Sequence, residues 1–253
     1  MVRGLKKGHG YFLRILMSLK ESKSAQSLRE KTGIIRKILE ENGACCIGFA
    51  DISRLGLPIT HKYPFGICFA LRYDDQIVDN LPDDEQWLNM SASLTEKAGF
   101  IYQIVQKMIE SWGYQSSRVP STTRIDELPD PGEELPQKTI ATLAGLGWVG
   151  KSTLLINPIF GPRIRLATLL TNMPVGTDTP VTQSKCRDCK ACVDACPVGA
   201  IKGNLWSQTT HRNELLEVSL CYNYRWSKKE TLGRRLECGL CLKVCPVITK
   251  RTS

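Results

Sequence analysis

The spacing of the cysteines constrains this chain more than any other feature. Cys186, Cys189, Cys192 and Cys196 form C-x2-C-x2-C-x3-C, followed by Pro197. Cys238, Cys241 and Cys245 form C-x2-C-x3-C, followed by Pro246, and Cys221 stands seventeen residues before that second group. A tight turn can offer three thiolates to a cubane cluster, and the fourth comes from the other motif, as in two-cluster bacterial ferredoxins. The spacing therefore assigns Cys186, Cys189, Cys192 and Cys245 to one 4Fe-4S cluster, and Cys196, Cys221, Cys238 and Cys241 to a second. Cys221 is the departure, replacing the first close-spaced cysteine of the second motif. Zinc sites take four ligands in two pairs, which this run does not fit, and disulfides are foreign to a cytoplasmic protein. Of the eleven cysteines, Cys45, Cys46 and Cys68 remain. They fall in apolar, strand-like runs and read as small buried hydrophobes.

A plain ferredoxin does not need the 180 residues that precede these motifs. A length of 253 residues suits one large domain, or one domain with a small module. The cysteines place the division near residue 180: an α/β domain over 1–180 and a two-cluster module over 181–253. Hydrophobic residues make up 42% of the chain, enough for a real core. Leu28, Ile34, Ile35, Ile38 and Leu39 recur at helical spacing within 25–43, with Gly43 as a stop. "ACCIGFADI" and "FGICFALRY" read as buried strands. A long apolar stripe from Leu88 through Met108 predicts a helix over about 85–112, and "SSRVPST" a short strand. Residues 124–137 form a proline-rich acidic loop, "KTIATLAG" is helical, and "STLLINPIFGPRIRLATLLTN" reads as two strands about a Pro-Gly turn.

No apolar run is long enough to span a bilayer. The N-terminal "YFLRILM" is interrupted by Arg14, and no small-residue cleavage site comes after it, so the expected location is the cytoplasm. Charge is uneven. Lys and Arg outnumber Asp and Glu by 10 to 4 in residues 1–43 and by 13 to 6 in 181–253, while 44–180 carries 11 against 15. Basic ends suit nucleic acid or an acidic redox partner, but they also offset the negative charge of thiolate-ligated clusters.

"GLGWVGKS", Gly145 to Ser152, fits the phosphate-loop pattern G-x-x-x-x-G-K-[ST]. A phosphate loop joins a buried strand to a long helix whose N-terminal N–H groups meet the phosphates. Here the helical segment comes first, and Pro158, Gly161 and Pro162 break the segment on the C-terminal side of the glycines. Nucleotide hydrolysis is excluded on that order. What remains is a loop whose backbone approaches something flat or bulky, or a tight helix-to-strand turn with no ligand.

"TIATLAGLGWVGKSTLLINPIFGPRIRLATLLT", followed at once by the double cluster motif, resembles the epoxyqueuosine reductase family. "LREKTGIIRKILEENGACCIGFADISRLG" is similar to that family's first helix and strand, and "VSLCYNYRW" to the segment carrying its isolated cluster ligand. The resemblance covers roughly residues 25–249. It implies a cobalamin-dependent iron–sulfur enzyme in which a nitroreductase-like α/β domain packs on a ferredoxin-like module. It places Gly145, Leu146, Gly147, Trp148, Gly150 and Lys151 beside the corrin, and implies a low-potential donor such as ferredoxin or flavodoxin, with tRNA as one substrate. None of His9, His61 and His211 lies near the glycine stretch, so a corrin without a histidine ligand is expected. The family's acid-bearing Asp-Ser-Ala-Pro stretch is replaced here by "DELPDPGEELPQ". Asp126, Asp130, Glu133 and Glu134 are candidates by neighbourhood, with Asp130 favoured as proton donor and Tyr73 second. The chain ends eight residues after Cys245, short of the family's C-terminal helical repeats. The competing expectation is an electron-transfer or activation protein that feeds a partner's corrinoid or metal centre.

Overall fold

A computed structural model describes residues 27–82, 84–119, 135–227, 233, 236 and 238–248. The first helix, α1 (Leu28–Glu41), begins at a reciprocal capping box in which the Ser27 hydroxyl accepts from the Glu30 N–H and the Glu30 carboxylate accepts from the Ser27 N–H. Strands β1 (Cys46–Asp51) and β2 (Phe65–Arg72) come next, with the short helix α2 (Pro58–Lys62) between them. The chain continues through α3 (Asp75–Asp79), the long α4 (Asp84–Ser111) and β3 (Ser116–Arg118). C-terminal to β3 come α5 (Gln137–Leu143), the two-residue strands β4 (Trp148–Val149) and β5 (Leu155–Ile156), and β6 (Ile164–Thr171). The mixed α/β class expected from the sequence is the one observed.

Four strands form an antiparallel sheet in the order β1-β2-β6-β3, with Cys46 opposite Ala70 and Cys68 opposite Thr168. Alternation sends Ile67, Phe69 and Leu71 to one face, where they meet α1 and α4 through Ile35, Leu39, Ile101, Val105 and Met108. Cys68 and Ala70 face the other way, against Ile140, Ala141 and Ala144 of α5 and its C-terminal cap. Both faces are covered, which is why β2 reads as an unbroken apolar run rather than an alternating one. Cys68 is fully buried within 3.4 Å of the Thr168 hydroxyl, and burial pushes its thiol up to about 12. Cys45 and Cys46 are half-buried against the same layer. Cys46 is the neighbour that lowers the Cys45 pKa, while the same proximity and burial raise that of Cys46.

The cysteine-rich part adds short helices α6 (Ala191–Asp194), α7 (Arg212–Leu215), α8 (Val218–Trp226) and α9 (Leu240–Lys243). Its own core is small: Ala200, Ile201 and Leu216, with four cysteines packed on it. It is held to the α/β part by side-chain contacts that the sequence did not announce. Leu242 of α9 enters an apolar cluster with Tyr73, Val78, Leu81 and Trp87. Arg163, 1% exposed, is the largest fully buried side chain among the described residues. Its guanidinium donates to the Asp75 carboxylate and carbonyl, both at 3.2 Å, to Asp79 Oδ1 at 2.5 Å, and to the Lys243 carbonyl at 3.3 Å. Lys243 in turn donates through Nζ to the Leu81 carbonyl at 2.7 Å. Among the described residues no helix is long and apolar enough to cross a membrane.

Candidate iron–sulfur centre and the glycine loop

Each cysteine of the motifs is placed by a turn or a helix end. Cys186 and Cys189 lie on the loop entering α6 and Cys192 in its first turn, and the Cys189 N–H donates to the Cys186 carbonyl at 3.1 Å. Arg187 holds a positive φ of 47° there, which tightens the turn between Cys186 and Cys189. Cys196 lies just after α6, Cys221 is on α8, Cys238 precedes α9, Cys241 is on it, and Cys245 lies just after it. Seven of these eight thiols are half-buried, and Cys189 is exposed.

Their electrostatic neighbourhoods fall into two groups. Burial raises the Cys245 thiol to about 11, with further upward pushes from Cys186, Cys192 and Cys189, against a lowering hydrogen bond from the backbone at Val247. Burial raises Cys241 to about 12, with Cys238 and Cys221 as the next contributors and Cys192 and Cys196 behind them. Cys221 is raised by burial and feels Cys196 and Cys238. Such crowding disfavours several thiolates at once unless a cation offsets them, and a coordinating thiol is deprotonated outright by its metal. Cys196 Sγ also accepts an N–H from Ala200 at 3.3 Å. N–H···S bonds of this type stabilise thiolate ligands and set cluster potential. Among the described residues, no three His, Cys, Asp or Glu side chains converge on a point that would hold one metal ion. The donor set is all sulfur and spread over two groups, as ligands of two polynuclear clusters are.

The glycine loop lies against the first group. A Cβ on Gly150 would stand 3.6 Å from Cys186 Sγ, and Lys151, 6% exposed, donates through Nζ to the Cys189 carbonyl at 3.0 Å. The loop has strand–turn–strand geometry, with β4 paired to β5, and so lacks the helix a phosphate loop requires. The loop is largely committed to its own chain. Gly147 is needed because a Cβ there would collide with the Ile156 carbonyl, and Leu146, Trp148 and Val149 are buried. Gly145 is the exposed member. Next to the loop, the connecting segment Pro180–Lys185 lines a cavity of about 330 Å³. Lys185 Nζ lies 5.8 Å from the centre of the Trp148 ring. The buried Nε1 of Trp148 has no hydrogen-bond partner among the described residues, so an acceptor on a bound group would satisfy it.

The two acid candidates separate. Asp130, with Asp126, Glu133 and Glu134, lies outside the described residues. Tyr73 is 9% exposed, its ring tilted against Trp87 at 4.8 Å between centroids, in the apolar cluster that receives Leu242. It belongs to the packing between the two parts of the chain rather than to the glycine loop. His61 is exposed on α2, and His211 caps α7 through an N–H contact from Asn213.

Residues 185–247 match the family described as a 4Fe-4S double cluster binding domain. The epoxyqueuosine reductase of Listeria monocytogenes is 33% identical over 138 residues, covering 51% of this chain and 33% of that protein. The Staphylococcus aureus enzyme is 35% identical over 134 residues, with the same two coverages. This chain thus spans about a third of the length of the curated relatives it matches. Among solved structures, the catabolic reductive dehalogenase NpRdhA superposes with a TM-score of 0.69 at 20% identity, over 92% of this chain and 34% of that one. The Bacillus subtilis epoxyqueuosine reductase gives 0.56 at 18%, over 88% and 67%. The chain is therefore epoxyqueuosine reductase-like in sequence, shares its fold with those enzymes and with a reductive dehalogenase, and carries a double 4Fe-4S cluster binding domain at its cysteine motifs.

Proposed function

We propose that this protein is an iron–sulfur, cobalamin-dependent reductase of the epoxyqueuosine reductase type, acting on an epoxide-like group. The observation that carries the reading is the contact between the glycine loop and the first cysteine loop: Gly150 against Cys186, and Lys151 on the Cys189 carbonyl. It brings the α/β part within direct reach of a redox centre, which a free-standing electron carrier does not require. Cys186, Cys189, Cys192 and Cys245 would hold one cluster, and Cys196, Cys221, Cys238 and Cys241 the other. A corrin would seat along the junction of Gly145, the Trp148 edge and the Pro180–Lys185 segment. When bound, the clusters supply low-potential electrons one at a time and the corrin supplies a strongly nucleophilic, reducing cobalt.

The chain's own residues do the rest. Buried Leu146, Trp148 and Val149 keep water from the loop side of the junction. The Trp148 indole offers one fixed donor. Asp130 is the proposed proton donor, since a carboxylic acid raised by burial can protonate a leaving oxygen near neutral pH. A structural relative named for B12-dependent dehalogenation, and an epoxyqueuosine reductase solved with a modified tRNA stem loop, support a corrin and a tRNA substrate. Ferredoxin or flavodoxin is the proposed donor.

Anaerobic reconstitution with iron, sulfide and cobalamin tests this. About eight iron and eight sulfide per chain are expected, with corrin absorbance co-eluting on gel filtration. Full iron without retained corrin would move the assignment to an electron-transfer protein, and stoichiometric zinc would end the cluster reading.

A further inference from the structure

Lys151 has an arrangement unlike the other described lysines. It is buried at 6% exposure, yet its single described partner is a neutral carbonyl, that of Cys189. Among the described residues no carboxylate pairs with it, whereas Arg163, the other deeply buried cation, is matched by Asp75 and Asp79. A buried ammonium is costly unless something negative compensates it. The nearby negative charge available to it is that of the thiolates: its Nζ is held on the Cys189 carbonyl, and the residue before it abuts Cys186. The second cysteine group has Cys221, Cys238 and Cys241 on or beside α8 and α9, and among the described residues Lys151 has no hydrogen bond to it.

We propose that Lys151 is a charge-setting residue for the first cluster alone, holding its reduction potential above the value the thiolates by themselves would give. The proposal rests on the two-cluster reading above. Reduction adds one electron and no proton, so the cluster with its four thiolates becomes one unit more negative. A fixed positive charge beside it stabilises the reduced form over the oxidised form. In a partly buried setting, one unit charge several ångströms away biases such an equilibrium by at least about tenfold. The hydrogen bond to Cys189 then serves to hold the charge in place, and the neighbouring glycine loop would be coupled to the cluster's potential.

Lys151→Gln keeps a donor for the Cys189 carbonyl and removes the charge. In the reconstituted full chain, a dithionite titration followed by EPR should show the first cluster's reduced-to-oxidised ratio fall about tenfold at a given potential, a shift of about 59 mV for a one-electron couple. The second cluster should not move, and Lys151→Arg should match the parent. Cys221→Ala, which leaves the first cluster in place, identifies which midpoint is which. An unmoved first cluster in Lys151→Gln, or equal shifts in both clusters, overturns the proposal. If Lys151→Gln loads poorly, the midpoint of its loaded fraction is judged by the same criterion; loss of the first cluster in both Gln and Arg variants would also overturn it. Iron and sulfide analysis of the parent separates the two failures: low iron there defeats the cluster reading itself, while full loading with an unmoved midpoint defeats only the role of Lys151.

Discussion

Arg163→Met should destabilise the cluster-loaded protein by about 3–5 kcal/mol, the range for breaking a buried ion pair from one side. The reason is what stays behind. Asp75 is almost as buried as Arg163, with side-chain exposures of 5% and 2%, so its carboxylate would lose a partner it cannot replace with water. Arg72, 2.6 Å away on the other carboxylate oxygen, compensates only in part. The carbonyls of Asp75 and Lys243 would also lose a donor. Against a typical net stability of about 5–15 kcal/mol for a whole domain, this one side chain decides whether the α9 segment stays docked. Lys at position 163 keeps the charge but lacks the planar fork, and cannot reach Asp75, Asp79 and Lys243 together. Arg163→Lys should therefore recover part of the loss. Urea unfolding followed by far-UV circular dichroism reads both variants. A Met variant within about 1 kcal/mol of the parent would mean the network contributes no more than an exposed pair does.

What the sequence disclosed and what it withheld divide along contact range. Ser27 and Glu30 define the start of α1 from three residues apart, the stripe ending at Met108 defines α4, and the turn holding Cys186, Cys189 and Cys192 is local too. Arg163 meets partners 80 to 88 residues distant, and nothing in "GPRIRL" marks it as anything but a strand-edge cation. The glycine loop was legible as an unusual backbone but not for its reason. Gly147 yields to the Ile156 carbonyl of the same hairpin, so its need for glycine is internal, and proximity to the cysteine loop comes through Gly150 and Lys151. Lys151 matched a phosphate-loop position and a corrin-side position by pattern; its carbonyl partner lies 38 residues on, in a motif read separately. Tyr73 ends a strand next to two aspartates, which made it the second proton-donor candidate. The tertiary contact with Trp87 and Leu242 places it in the packing instead.

Cys221→Ala and Cys245→Ala should each remove about half the iron, leaving about four per chain, but different halves. Cys245 lies in the electrostatic company of Cys186, Cys189 and Cys192, while Cys221 answers to Cys196 and Cys238. Their supports also differ. Cys221 rides on α8, packed against the module's own small core of Ala200, Ile201 and Leu216. The Cys245 segment is pinned to the α/β part from both sides: Lys243 bonds Leu81 and Arg163, and Gly161 packs so closely on the Val247 carbonyl that a Cβ would collide with it. Losing the Cys245 ligand should therefore leave the docked backbone in place, and the surviving cluster should keep its parental midpoint. Losing Cys221 frees α8 from its metal tether, and the small core beneath it must hold unaided, so Cys221→Ala should also show the larger rise in protease sensitivity over residues 218–226. Iron analysis with EPR potentiometry on both variants checks the pairing. If each variant loses all its iron, the two clusters assemble as one unit; if the surviving signals are the same in both, the division of ligands is wrong.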